Sequence, residues 1–179
     1  MLSVPVFIAP INRPPTGTVE AVREQMIERL RCEVSLVQIT PDLAFAYDSR
    51  RRQYDSTLLL EQMRSVAPDG QSKIIGITDV DLFIPVLTFV FGEAQLNGRL
   101  AVVSTHRLDN RLYGLPGDEN AIRDRLLKEC THELGHTCGL LHCPDYRCVM
   151  HGTNSVVEVD LKDPAFCLRC RRVLDDLPA

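Results

Sequence analysis

Residues 132–142 read HELGHTCGLLH and fit the pattern HExxHxxGxxH. In an α-helix, at about 100° and 1.5 Å per residue, His132 and His136 lie about 40° and 6 Å apart on one face, so both imidazoles can bind one metal ion. Gly139 can end the helix in a left-handed conformation and turn the chain so that His142 supplies a third nitrogen. Three neutral imidazoles leave the fourth position of a tetrahedral zinc ion open for water, which predicts a catalytic metal site.

Glu133 follows the first of these histidines and is predicted to lie beside the metal, where its carboxylate can act as a general base toward water. The alternative is that the three histidines are ordinary core residues. Helical projection argues against it, because His132 and His136 point away from the apolar arc of the same helix. That arc consists of Ile122, Leu126, Leu127, Cys130, Leu134 and Cys138.

Five of the seven cysteines lie in the last 42 residues. Four of them, Cys143, Cys148, Cys167 and Cys170, form a Cys-x4-Cys pair followed by a Cys-x2-Cys pair, which predicts a closed, structural tetrahedral zinc site. The alternatives are four free cysteines, a redox pair at Cys167 and Cys170, or a disulfide-bonded secreted domain. We assign the other three, Cys32, Cys130 and Cys138, to packing.

The composition restricts the function classes. The 179 residues carry a formal net charge of −4, which disfavours a nucleic-acid partner. Uninterrupted apolar runs fall short of the roughly 20 residues that span a bilayer, and the short apolar N-terminus lacks the basic leader of a secretion signal. We therefore expect a soluble, cytoplasmic chain, most simply a monomer.

Hydrophobic periodicity predicts a β-α-β opening and a long helix that carries the histidines. We interpret residues 40–56, with three consecutive arginines at 50–52, as a surface excursion, although the basic triplet could also contact an acidic partner. Asn97-Gly98 predicts a tight turn between two strands of a hairpin. The predicted strands are 4–9, 33–39, 73–78, 88–91 and 100–104; the predicted helices are 18–31, 57–66 and about 118–137, followed by a loop-rich tail.

The histidine motif with its adjoining cysteine (132–143), CVM at 148–150 and CLRC at 167–170 together closely resemble the archaemetzincin family of metallopeptidases. The cysteine directly after the third histidine and the later Cys-x2-Cys pair distinguish this family from other metzincins. Residues 76–83 and 91–95 also resemble segments of the family's upper sheet. The resemblance covers about residues 73–170, whereas the first 70 residues match only loosely.

The resemblance implies an α+β, metzincin-like fold in a single domain over residues 1–179. A mixed β-sheet with flanking helices would form an upper lobe (1–139), and a small, loop-rich, zinc-stabilised lower lobe would follow (140–179). Met150 would pack beneath the three histidines in a Met-turn instead of binding the metal. Residues 88–91, as an exposed edge strand, could pair with an extended peptide by strand addition.

These observations predict a zinc metallopeptidase that binds two zinc ions per chain, one catalytic and one structural. We expect the chain to begin with its catalytic domain and to have no pro-segment that could occupy the metal, and we therefore expect narrow access and small or specific peptide substrates. The alternative function is a zinc-stabilised binding protein with weak or vestigial hydrolytic activity, which could contact a partner through Arg169, Arg171 and Arg172. Glu133 favours the enzyme, because a purely structural site would not need it.

Overall fold

The computed structural model describes residues 4–176. Residues 1–3 and 177–179, which belong to the two predicted lobes, lie outside the described residues. The elements in chain order are β1 (Val6–Ile11), α1 (Thr16–Leu30), β2 (Val34–Leu36), α2 (Leu43–Ala46), β3 (Tyr47–Asp48), β4 (Gln53–Asp55), α3 (Ser56–Val66), β5 (Lys73–Thr78), β6 (Leu82–Phe83), β7 (Gly92–Ala94), β8 (Leu100–Ser104), α4 (Glu119–Thr137), α5 (Val156–Leu161) and α6 (Leu168–Asp175). Two short 3-10 helices, His106–Leu108 and Asn110–Tyr113, connect β8 to α4.

The main sheet has the strand order β2-β1-β5-β8-β7, in which the first four strands are parallel and β7 is antiparallel to β8. Parallel strands are covered by helices on both faces and therefore consist of nearly continuous apolar residues. In β5, residues 74–78 are all buried. The predicted mixed sheet with flanking helices and the β-α-β opening are confirmed.

Helices cover the sheet on both faces and make a three-layer core. Ile75 and Ile77 belong to the cluster that contains the buried residues of α1 and α4, whereas Ile74 belongs to the cluster that contains those of α3. Gly76 permits the close approach of α3, because a Cβ there would lie 2.9 Å from Met63 Cε.

Residues 40–56 are more ordered than the predicted surface excursion. They contain α2 and the β3–β4 hairpin, and β4 pairs in parallel with β6 to complete a second, three-stranded sheet. The strands are only two or three residues long, so they show no periodicity that a sequence analysis could detect. Asp55 ends this segment as the N-cap of α3, where its carboxylate accepts hydrogen bonds from the amides of Thr57 and Leu58.

The predicted hairpin is present, but its first strand lies at Gly92–Ala94 and not at residues 88–91. The turn at Asn97-Gly98 decides the register, since the Gln95 amide donates to Leu100 O and the residues next to the turn pair first. Residues 88–91 form only an isolated bridge between Val90 and Leu82.

The long helix α4 starts after its N-cap Asp118, whose carboxylate accepts hydrogen bonds from the amides of Asn120 and Ala121, and it ends at Thr137. Gly139 follows with φ of 86°, the predicted left-handed stop. The predicted apolar arc of α4 is buried.

The tail after Gly139 is less irregular than predicted, because it contains α5 and α6. Helices of six and eight residues are too short to be stable alone, and they depend on tertiary packing. A separate hydrophobic cluster fills this region and consists of Leu140, Cys143, Cys148, Val149, Met150 and Cys170. In the described part of the chain, no helix combines the length and hydrophobicity that crossing a membrane requires.

Candidate active site and metal centres

The three histidines of the motif converge at one point. Their ring centroids are 4.7 Å (His132–His136), 5.2 Å (His132–His142) and 5.0 Å (His136–His142) apart. One ring nitrogen from each lies within 4.8 Å of the others. These separations allow all three imidazoles to bind one ion.

Backbone carbonyls determine which nitrogen of each helical histidine faces the centre. His132 Nδ1 lies 2.7 Å from Val149 O, and His136 Nδ1 lies 2.7 Å from Leu140 O. A carbonyl oxygen can only accept, so both Nδ1 atoms carry the proton and both Nε2 atoms present lone pairs. The protein therefore orients these two rings as metal ligands.

The two Nε2 atoms are 3.0 Å apart and both lack a proton, so their lone pairs repel each other unless a cation lies between them. Tetrahedral zinc with Zn–N distances of about 2.0–2.1 Å separates its nitrogen ligands by roughly 3.3 Å, close to this spacing. Burial lowers the pKa of all three histidines, which favours the neutral form that binds metal. The donor set fits zinc.

Local backbone geometry brings His142 to the other two histidines. Amides of Gly139 and Leu140 donate to His136 O and Gly135 O and close the end of α4. His142 then follows the turn and packs against Gly152, where a Cβ would lie only 3.0 Å from His142 Nδ1. The turn that the sequence predicts at Gly139 is thus the element that places the third ring.

Glu133 is buried, and this burial raises its pKa well above the usual range, with a further contribution from the charge of Glu129. It lies under the edge strand β7, because a Cβ on Gly92 would come within 2.8 Å of Glu133 Cγ. Its carboxylate lines a cleft of about 420 Å³ together with His132 and His142.

The cleft lies between two segments of the chain. One wall is the rim segment, defined as residues 87–92, and the other is formed by residues 152–154. Residues 88–91 thus line the cleft, although they do not form the regular strand that the sequence predicts.

Met150 is fully buried and lies under α4 at Gly135, where any Cβ would overlap the methionine sulfur. The preceding residue, Val149, accepts the hydrogen bond from His132. Cys143 N donates to Met150 O, so the methionine is linked to both the histidine and the cysteine clusters.

The four cysteines form the second cluster. Cys143 Sγ lies 3.8 Å from Cys167 Sγ, and Cys148 Sγ lies 3.8 Å from Cys170 Sγ. A disulfide requires about 2.05 Å, whereas tetrahedral zinc with Zn–S distances of about 2.3 Å separates its sulfur ligands by roughly 3.8 Å. The spacing fits a tetrathiolate zinc site.

The other three cysteines have packing roles, as predicted from the sequence. Cys130 and Cys138 are buried, and Cys32 is partly buried and packs against the main core.

A buried ion pair that was not predicted from the sequence lies next to the cleft. Lys162 Nζ lies 2.8 Å from Glu129 Oε1, and the two side chains are 0% and 4% exposed. Glu129 precedes Glu133 by one helical turn and lines the cleft, so its position on the helix was a usable signal. Lys162 lies in the tail and has no signal in the sequence.

Comparisons with known proteins agree with this fold. The sequence model of peptidase family M54 matches residues 19–176. An archaemetzincin of Methanocaldococcus jannaschii is 38% identical over 175 residues, which cover 96% of each chain. The structure of archaemetzincin from Methanopyrus kandleri has a TM-score of 0.83 at 39% identity and covers 96% of this chain and 93% of that one. The structure of a zinc-dependent peptidase from Methanocorpusculum labreanum has a TM-score of 0.84 at 32% identity and covers 94% and 99%.

Fold, site and similarity together define a zinc metallopeptidase. The chain belongs to peptidase family M54, the archaemetzincins. The similarity extends well into the first 70 residues, which we expected to match only loosely.

Proposed function

We propose that the protein hydrolyses peptide bonds with a water molecule activated by Glu133, at a zinc ion held by His132, His136 and His142. The observation that carries this proposal is the pair of unprotonated Nε2 atoms that face each other at 3.0 Å beside a buried carboxylate. Zinc, when bound here, supplies Lewis acidity toward water and toward the scissile carbonyl. The metzincin type is supported by Met150, which lies under the histidine helix.

Glu133 would take the proton of the attacking water and then return it to the leaving amine. Its burial supports this role, because a desolvated carboxylate is a stronger base than an exposed one. Gly92 above it has no side chain, and a Cβ there would collide with the Glu133 side chain, so the glycine leaves room for Glu133 at this point.

We infer that the peptide lies extended in the cleft along the rim segment, by strand addition to its backbone. The support is that residues 87–92 line the cleft with Glu133 and His142, and that β7 is an edge strand. The volume of the cleft, about 420 Å³, supports small or specific peptide substrates over folded proteins.

We propose a second, structural zinc held by Cys143, Cys148, Cys167 and Cys170, which makes two ions per chain. Its support is the spacing of the four sulfur atoms. Since Cys143 adjoins His142, the cysteine-bound ion would also stabilise the third histidine of the catalytic site.

We further propose a single domain of two lobes, residues 1–139 and 140–179, because residues 140–174 have a hydrophobic cluster of their own.

We also propose a cytoplasmic monomer with no nucleic-acid partner. A tetrathiolate site requires reduced cysteines, as in the cytosol, and a net charge of −4 disfavours nucleic acid. Cell fractionation tests the cytoplasmic location, and light scattering tests the monomeric state. A DNA-binding assay tests the absence of a nucleic-acid partner.

The test compares Glu133→Gln with wild type and with Glu24→Gln, which changes an exposed carboxylate of α1. We expect Glu133→Gln to keep two zinc ions per chain, measured by mass spectrometry of metals, and to lose at least about a hundred-fold of its turnover on a peptide library. His136→Ala should retain one zinc.

Unchanged turnover of Glu133→Gln would show that Glu133 is not the base. A wild type that holds two zinc ions but cleaves no peptide would favour a binding protein with vestigial activity. In that case the exposed Arg169, Arg171 and Arg172 of the tail become the residues to test for partner binding.

A further inference from the structure

The rim segment has few hydrogen bonds to neighbouring strands. At its C-terminal end, Val90 N donates to Leu82 O, and Phe91 O accepts from Ser104 N. At its N-terminal end, the carbonyls of Leu87 and Thr88 accept side-chain hydrogen bonds instead. Leu87 N donates to Ile84 O in a turn, so without those side chains the carbonyls of Leu87 and Thr88 would lack hydrogen-bond partners among the described residues.

Arg51 and Gln53 of the β3–β4 hairpin provide these bonds. Arg51 Nη1 donates to Leu87 O at 2.9 Å, and Gln53 Nε2 donates to Thr88 O at 3.0 Å. The Arg51 guanidinium also lies 4.3 Å from the centre of the Phe83 ring, which restricts its conformation. Gln53 is only 8% exposed, so its hydrogen bonds form in a poorly hydrated environment.

Asp81 connects this hairpin to a further contact with the rim segment. Its carboxylate accepts two parallel hydrogen bonds from Arg107, at 2.6 and 2.7 Å, and a third from Gln53 at 3.0 Å. The side chains of Arg107 and Asp81 are 26% and 13% exposed, and a bidentate pair of this kind is more rigid than an ordinary surface pair. Arg107 in turn lies 4.3 Å from the centre of the Phe89 ring.

The hairpin itself has a defined shape. Asp48 accepts hydrogen bonds from the amides of Arg50 and Arg51, and Arg52 adopts a left-handed φ of 59°. This turn directs Arg51 toward the rim segment. Arg50 extends from the same turn, and its side chain makes no hydrogen bond or ion pair with the described residues.

We propose that Arg51, Gln53, Asp81 and Arg107 are positioning residues that hold the rim segment extended along the cleft, and so set the affinity for extended peptides. The inference rests on the proposed function. Residues 87–92 form the cleft wall beside Glu133, and a wall that is already held in the bound conformation binds an extended peptide more tightly, because less conformational freedom is lost on binding.

The first test measures amide hydrogen exchange of the zinc-loaded protein and requires no activity. In Arg107→Met and in Arg51→Met we expect the hydrogen-bonded amides of Leu87 and Val90, within residues 84–91, to exchange at least about ten-fold faster, while residues 100–104 of β8 stay protected. Arg107→Lys retains the charge but loses the two parallel bonds, so its exchange rate should be intermediate. Arg50→Met is the matched control and should exchange like wild type.

The second test measures steady-state kinetics of Arg51→Met on an extended peptide of about eight residues and on a dipeptide derivative too short to reach residues 87–89. We expect KM for the extended peptide to rise at least about five-fold, with little change in kcat and no change for the short substrate. Arg50→Met should match wild type with both substrates.

Unchanged exchange at residues 84–91 in both Arg51→Met and Arg107→Met would overturn the positioning role. Faster exchange with unchanged KM for the extended peptide would restrict the network to local stability and refute its effect on affinity. If wild type cleaves neither substrate, the proposed function fails, whereas the exchange measurement still decides whether these side chains hold the rim segment.

Discussion

At the scale of single residues, the site depends on backbone carbonyls and glycines as much as on the histidines. Val149 O and Leu140 O determine which nitrogen of His132 and His136 faces the centre. Gly135 allows Met150 to lie against α4. The spacing pattern specifies the histidines and Gly139, whereas Gly135 falls at an unspecified position, so the pattern does not show that Gly135 is needed for lack of space.

We predict that Gly135→Ala destabilises the protein by about 1–3 kcal/mol and weakens binding of the catalytic zinc. The added Cβ would overlap the Met150 sulfur in a fully buried site, so either the helix or the methionine must move. Urea unfolding and zinc titration measure the two effects.

Gly17→Ala provides the matched control for that substitution. Gly17 also lies in a helix, but nothing lies within 4 Å of the position its Cβ would take. We expect the free energy of unfolding of this variant to rise by roughly 0.5–1 kcal/mol, because alanine is the better helix former. Equal effects of the two substitutions would mean that Gly135 has no packing role.

At the scale of elements, α4 and α5 are joined by buried charges as well as by apolar contacts. Arg125 forms a bidentate pair with Asp160 at 2.7 and 2.8 Å, and Lys162 pairs with Glu129. Periodicity describes only the apolar face of α4, so the charged residues that contact α5 look like a solvated face in the sequence. Their partners become known only when the tail folds back onto the helix.

We predict that Lys162→Met destabilises the protein by about 3–5 kcal/mol, because it leaves the Glu129 carboxylate buried without a counter-charge. The double variant Lys162→Met with Glu129→Leu should recover most of the loss, since neither charge is then buried. Chemical unfolding of wild type and both variants measures their free energies of unfolding and so compares the loss with its recovery.

Arg147→Met is the control for the loss of a positive charge in the tail. Arg147 pairs with Asp163 at the surface, where the two side chains are 63% and 49% exposed, so its removal should cost less than about 1 kcal/mol. A small effect of Lys162→Met, similar to that of Arg147→Met, would contradict the role of the buried pair.

At the scale of the whole molecule, the histidine centre depends on the segment that contains the cysteine cluster, whereas the cysteine cluster does not depend on the histidine helix α4. Cys143 adjoins His142 in sequence, and its amide donates to Met150 O beneath the histidine helix. The tail therefore supplies the third histidine and the floor of the proposed catalytic site, whereas the cysteine cluster contains no residue of α4.

We predict that Cys170→Ser lowers the zinc content below one ion per chain, because loss of the cysteine site loosens the segment that holds His142 and Met150. His136→Ala should instead keep one ion in the cysteine site. Native mass spectrometry of both variants measures how many zinc ions each chain retains, and so distinguishes loss of zinc from both sites from loss of zinc from the histidine site alone. If Cys170→Ser retained a fully occupied histidine site, the proposed dependence would be wrong.

The sequence alone predicted the histidine motif, the cysteine pairs, the strands at 73–78 and 100–104, and the ends of α4. The motifs follow from short residue spacings, the strands from continuous apolar runs, and the helix ends from a capping residue and a glycine, all of which are local properties.

Only the tertiary structure decided the short strands of residues 40–56, the shift of the edge strand to Gly92–Ala94, helices α5 and α6, and the pairs Lys162–Glu129 and Arg107–Asp81. These features join residues 26 or more positions apart, or are too short to show a period. Their free energy comes from contacts that form only when distant segments meet, so no local pattern of residues encodes them.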